Sequence, residues 1–130
     1  MADDRLIAAL DVPTRTSAEQ LVARLGDSVS YYKVGMELFY ALGGGIVTWL
    51  KEREKKVFLD LKLHDIPNTV GNGLCSLLRL RPDILNVHTA GGLRMMKTAS
   101  EALHSAAEAE GIPCPKLIGV TVLTSMDAED

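Results

Sequence analysis

Five short apolar runs alternate with longer amphipathic ones, and no other feature restricts the fold of this chain so strongly. The runs are Leu6–Leu10, Tyr31–Val34, Val57–Leu61, Ile84–Val87 and Leu117–Val122, each bounded by charge or turn residues, as β-strands are. They begin roughly every 25 to 35 residues, the repeat expected of βα units with parallel strands. The intervening patterns are helical. Thr16-Ser17-Ala18-Glu19 has the form of a capping box, Leu21, Val22 and Leu25 follow at helical spacing, and Gly26 ends the run. Ile46 to Lys56 sets Ile46, Val47, Trp49 and Leu50 ahead of the charged tail Lys51-Glu52-Arg53-Glu54-Lys55-Lys56. That tail is expected to be a solvated helix face, with Trp49 a core anchor. Val70 to Leu80 carries Leu74, Leu77 and Leu78, while Leu93 to Glu110 is rich in Ala, Met and Glu and closes at Gly111 and Pro113.

Alternating βα units build either an open doubly wound sheet or a (β/α)8 barrel. A dinucleotide fold requires G-x-G-x-x-G directly after the first strand, where this chain has Asp11-Val12-Pro13-Thr14. Gly43-Gly44-Gly45 and Gly71-Asn72-Gly73 have neither the spacing nor the position, and read as turn or helix-packing glycines. The barrel fits better, because polar residues stand at the C-terminal end of every strand: Asp11, Lys33, Asp60 with Lys62, Asn86 with His88, and Thr124 with Ser125. Barrel enzymes build their sites there. Five strands cannot close an eight-stranded barrel and would leave two unpaired edges. The fold expected is therefore α/β, with residues 1–130 forming the N-terminal part, about five strands, of a single (β/α)8 TIM-barrel domain.

The chain of 130 residues is 47 % hydrophobic and 24 % charged, enough for a real core, and its net charge of -3 comes without a basic run. Nucleic acid and anionic membranes are poor partners for such a surface. No apolar run approaches the ~20 residues of a membrane span, and the acidic Met1-Ala2-Asp3-Asp4-Arg5 lacks the apolar core of a signal peptide. Cys75 and Cys114 have no metal-ligand spacing. They are expected to be reduced thiols in a cytoplasmic protein.

The chemistry lies in Phe58-Leu59-Asp60-Leu61-Lys62-Leu63-His64-Asp65-Ile66-Pro67-Asn68-Thr69. Side chains alternate along a strand, so Asp60 and Lys62 face the barrel mouth while Leu59, Leu61 and Leu63 face the helices. Asp65 falls on the following loop. Exposed ion pairs are common and weak, yet these charges sit in an apolar strand, where burial costs several kcal/mol unless they are paired. Lys33 and Asp11 occupy equivalent strand ends, giving alternating lysines and aspartates in one mouth. A lysine flanked by carboxylates favours its ammonium form, which suits proton donation and not Schiff-base attack. A carboxylate beside an anionic substrate group repels it by about 4 kcal/mol at ~4 Å and an effective dielectric near 20. Loss of carbon dioxide relieves that repulsion, and the ammonium can protonate the carbon left behind. No cofactor is required by this logic.

These residues resemble a known family. Asp60-Leu61-Lys62-Leu63-His64-Asp65-Ile66-Pro67-Asn68-Thr69 is similar to the D-x-K-x-x-D-I-P-N-T signature of the orotidine 5'-phosphate decarboxylases, bacterial branch. Ala9–Val12, Tyr32–Phe39, Asn86–Met96 and Gly119–Met126 agree with it in order and spacing. The resemblance implies decarboxylation of orotidine 5'-phosphate to uridine 5'-monophosphate in pyrimidine synthesis, without metal or cofactor. It implies that Lys62 donates the proton to C6, that Asp60 lies against the substrate carboxylate, and that Lys33 completes the charge array and touches the ribose. Asp65 would join the array of a partner subunit in a homodimer with shared sites. Asp11 would hold ribose hydroxyls, Thr69 would do so across the interface, and Ile66, Thr124 and Ser125 would line the substrate site, the last two at the pyrimidine. The family's phosphate-gripping residues, a Gln and a Gly-Arg pair, lie beyond the fifth strand, so the chain is expected to be an N-terminal fragment. Related phosphosugar decarboxylases and aldolases share D-x-K-x-x-D, which leaves a metal-dependent enzyme of the same superfamily as one alternative and an inactive half-barrel as another.

The other histidines and methionines have plainer readings. His64 is expected to be structural or substrate-side, since no second histidine stands at ligand spacing. His88 either lines the pocket or packs by hydrogen bonding, His104 lies on a helix surface, and Met95-Met96 fills core or interface.

Overall fold

A computed structural model describes residues 2–130. Strands β1 (Ala8–Ala9), β2 (Tyr31–Gly35), β3 (Lys56–Leu63), β4 (Ile84–His88) and β5 (Lys116–Val120) form one sheet in chain order. Every neighbouring pair is parallel. Helices α1 (Arg15–Leu25), α2 (Met36–Leu42), α3 (Gly45–Lys51), α4 (Pro67–Leu78) and α5 (Gly92–Glu110) fill the connections. Sequential strand order without a reversal is the plan of a βα barrel; a doubly wound sheet reverses at a switch point.

The outer strands are shorter than the apolar runs suggest. In β1 only Ala8 and Ala9 pair with Tyr32 and Lys33. Leu6 is exposed, whereas Leu10 is fully buried and donates its N–H to the Lys33 carbonyl. At the other edge β5 stops at Val120 and leaves Val122 exposed.

The cap of α1 is Thr14 and not Thr16. Thr14 has extended backbone and accepts a hydrogen bond from the Ser17 N–H, while Thr16 is already helical. Between β2 and β3 two helices replace the single one expected over Ile46–Lys56. Met36–Leu42 coils directly after β2, Gly43 ends it with φ 66°, and α3 stops at Lys51. The charged tail is therefore not a helix face. Lys51 pairs with Asp83 at 2.7 Å, Lys55 Nζ donates to the Gly26 and Val29 carbonyls, and Lys56 pairs with Asp4. Arg53 lies 4.0 Å over the ring of Trp49, which is half-buried and packs against the core from its edge.

The core lies between the sheet and the helices. Tyr32, Val34, Val57, Leu59, Leu85 and Val87 meet Val22, Leu38, Ile46, Leu50, Val70, Leu74 and Leu103. Gly71 lets α4 approach α5, because a Cβ there would stand 3.2 Å from Ala102 Cβ. Met95 is buried and Met96 partly so. Among the described residues the Tyr32 hydroxyl is a buried polar atom without a partner.

Candidate functional site

The C-terminal ends of β1 to β3 gather four of the residues singled out in the sequence. Lys33, on β2, places its Nζ 3.0 Å from Asp11 Oδ1 and 3.4 Å from Asp60 Oδ2. Lys62 Nζ lies 2.8 Å from Asp60 Oδ1. The order Asp11–Lys33–Asp60–Lys62 is thus an unbroken row of alternating charge. Parallel register produces it: Ala9 pairs with Lys33, and Gly35 with Asp60. Gly35 has a role in this packing, since a Cβ there would stand 3.1 Å from Lys33 Nζ.

Asp60 is the hub. Its side chain is 10 % exposed. Burial pushes its carboxyl up, but hydrogen bonds from Lys62 and Asn86 and the charges of Lys62 and Lys33 outweigh this and hold it below the ordinary value. It is an anion by design of its surroundings.

Simple alternation does not carry through the end of β3. Leu59 pairs with Leu85 but Leu63 pairs with Val87, so four steps along β3 match two along β4. This is a β-bulge. Inside it Lys62 adopts φ 50°, a left-handed conformation that costs a non-glycine residue on the order of 1–3 kcal/mol. Asp60 and Lys62 still meet, though on irregular backbone. Lys62 also borders an open hollow of about 550 Å³ with His64, His88, Met36 and Tyr40 on its walls.

Other predicted site residues stand apart from the row. Asp65 is exposed, and its Oδ1 accepts from the Ile66 N–H at 2.6 Å. Ile66 and Thr69, beside and within the first turn of α4, are exposed. Thr124 and Ser125 lie in an exposed turn beyond β5. His64 is exposed with its ring 5.6 Å from that of His88, and His104 is exposed on α5. Among the described residues no three His, Cys, Asp or Glu side chains cluster as a metal site would require. Asn86 is the functional candidate given no role in the sequence. It is 1 % exposed and hydrogen-bonds both Asp60 and Lys62. A polar residue at the centre of Ile84–His88 is the signal that pointed to it.

A parallel sheet in barrel order, with a row of alternating charge around buried Asp60 at its C-terminal strand ends, defines the class: part of a βα barrel. The comparisons make this specific. Residues 4–130 match the Orotidine 5'-phosphate decarboxylase / HUMPS family, and the chain belongs to that family. It is 49 % identical over 128 residues to orotidine 5'-phosphate decarboxylase of Moorella thermoacetica, covering 98 % of this chain and 51 % of that one. The Enterococcus faecalis enzyme of the same name is also 49 % identical, with 98 % and 54 % covered. The crystal structure of the Lactobacillus acidophilus enzyme superposes with a TM-score of 0.86 at 42 % identity, over 95 % of this chain and 55 % of that one. The chain spans about half the length of the curated relatives it matches.

Proposed function

We propose that this chain contributes the acid–base half of an orotidine 5'-phosphate decarboxylase site, acting in the cytoplasm in pyrimidine synthesis. The observation that carries the reading is Asp60 held between Lys33 and Lys62, with nitrogens 3.4 and 2.8 Å from its oxygens. A substrate carboxylate placed against Asp60 meets a fixed anion. Breaking its bond to C6 releases neutral carbon dioxide and leaves the electron pair on C6. Lys62 then delivers an Nζ proton to that carbon and regains one from solvent. Lys33 and Lys62 offset charge near the reacting centre throughout, the preorganised electrostatics that such chemistry exploits. Asp11, beside Lys33, serves as acceptor for ribose hydroxyls, and Ile66, Thr69, Thr124 and Ser125 complete the substrate site. Residues 1–130 are inferred to form the N-terminal part of one barrel domain.

The protein is inferred to work as a homodimer in which Asp65 and Thr69 enter the partner's site. Support comes from exposed apolar side chains near the same rim: Tyr40 at 72 %, Ile66 at 66 % and Leu93 at 65 %, more than isolated surface residues would lead one to expect. No described helix is long and apolar enough to cross a membrane.

The test is conversion of orotidine 5'-phosphate to uridine 5'-monophosphate by the protein carrying this chain, run beside a β-keto phosphosugar acid and with or without chelator. Turnover of the nucleotide in chelator supports the reading. Turnover of the sugar acid alone, abolished by chelator and restored by magnesium, would replace it with the metal-dependent alternative.

A further inference from the structure

We propose that Asn86 is a positioning residue of this site, a clamp that holds the β3 bulge and aims Asp60 and Lys62 at each other. Between Leu59 and Leu63 the bulge leaves Lys62 without a register partner on β4. Asn86 Oδ1 accepts the Lys62 N–H at 2.8 Å. The same amide group donates from Nδ2 to Asp60 Oδ1 at 2.7 Å. Its orientation follows from its partners: an N–H can only donate and a carboxylate can only accept, so oxygen must face Lys62 and nitrogen Asp60.

One buried side chain therefore ties the left-handed Lys62 backbone to the carboxylate that its own ammonium contacts. Asp60 Oδ1 receives both Lys62 Nζ and Asn86 Nδ2, which leaves Oδ2 to Lys33. Without the clamp, the Lys62 amide loses this side-chain acceptor, and the left-handed turn is free to relax toward regular strand. A leucine of similar volume would fill the space and satisfy neither partner.

The clamp is tested in the chain itself by amide hydrogen exchange and by carbon NMR of the aspartate carboxyls. In Asn86→Ala the Lys62 amide is expected to exchange roughly tenfold faster, the worth of one buried hydrogen bond. Val34 and Leu59 on the same sheet report global opening and serve as the reference. Asn86→Asp retains the acceptor, so Lys62 protection is expected to return. It also sets a second carboxylate against Asp60, and one of the pair is expected to hold its proton to higher pH than Asp60 does in the parent. The charged groups around that pair are Lys33 on β2, Lys62 on β3, Asp11 behind Lys33, and His88 two residues further along β4. Uniform loss of protection in both variants, or unchanged Lys62 exchange in Asn86→Ala, would overturn the clamp.

The catalytic consequence rests on the decarboxylase reading: Asn86→Ala should lower kcat roughly tenfold with KM little changed, as for an interaction made in the transition state. Absence of turnover by the unsubstituted protein would count against that reading, and the exchange and titration results would still decide the clamp.

Discussion

The charge row makes a quantitative demand on the Asp60–Lys62 pair. At 2.8 Å, two unit charges attract by about 6 kcal/mol at an effective dielectric of 20. Desolvation opposes this by several kcal/mol per ion, and Lys62 retains 24 % of its side-chain exposure, so water screens part of the remainder. The net coupling expected is about 2–3 kcal/mol, that of a hydrogen bond to a charged group. A double-mutant cycle of Asp60→Asn, Lys62→Met and both together, followed by urea unfolding at pH 7, isolates it. Lys62→Met alone should cost less than Asp60→Asn, because Lys33 still balances Asp60 while nothing else separates the two ammoniums. A coupling below about 0.5 kcal/mol, the range of solvated pairs, would refute a preset field and reduce the row to surface decoration.

Acid should weaken the fold through Asp60: its folded carboxyl titrates below the ordinary value of 3.8, so its stabilisation is full above that value and is lost as pH falls through the lowered one. Urea unfolding between neutral and acid pH should show a smaller acid loss in Asp60→Asn than in the parent, and equal slopes would contradict this. Tyr32→Phe should leave stability unchanged or raise it by up to about 1 kcal/mol, since it removes an unpartnered buried hydroxyl; a clear loss in thermal unfolding would reveal a partner. Gly71→Val should cost about 1–3 kcal/mol by overpacking α4 on α5, measured by the same melt, and a neutral result would mean the helices can separate freely.

The strands and the gathering of Lys33, Asp60 and Lys62 at their ends are legible in the sequence because the βα repeat marks each strand and parallel order follows from it. Apolar runs mark strands, and barrel order sets the strand ends carrying Lys33, Asp60 and Lys62 side by side, although period two fails at Lys62 inside the bulge. The bulge is not legible, because it arises from how β3 pairs with β4, and neither strand alone encodes the mismatch between Leu59 and Leu63. Asn86 stands out in Ile84–His88 as a polar residue among apolar ones, but its two partners are set by that same pairing. The helix Met36–Leu42 starts at Gly35 without a side-chain cap and so carries no start signal. In the charged tail, Lys51, Lys55 and Lys56 look like surface residues by composition, and only the fold brings Asp83, the Gly26 and Val29 carbonyls and Asp4 to them. Thr16 carries the capping-box pattern, yet Thr14 has the extended backbone that a cap needs. The roles expected of Asp65, Thr124 and Ser125 come from resemblance, and this chain brings none of them within 4.0 Å ion-pair or hydrogen-bond reach of the row.

The central claim is that the Lys62 ammonium, aimed by Asp60, quenches the carbanion left when carbon dioxide departs. Release of labelled carbon dioxide from carboxyl-labelled orotidine 5'-phosphate, compared between the protein carrying this chain and its Lys62→Ala variant, tests it most directly. The variant is expected to lose at least about 100-fold in rate, the low end for a positioned general acid. Release at the parental rate from a folded Lys62→Ala protein would contradict the account.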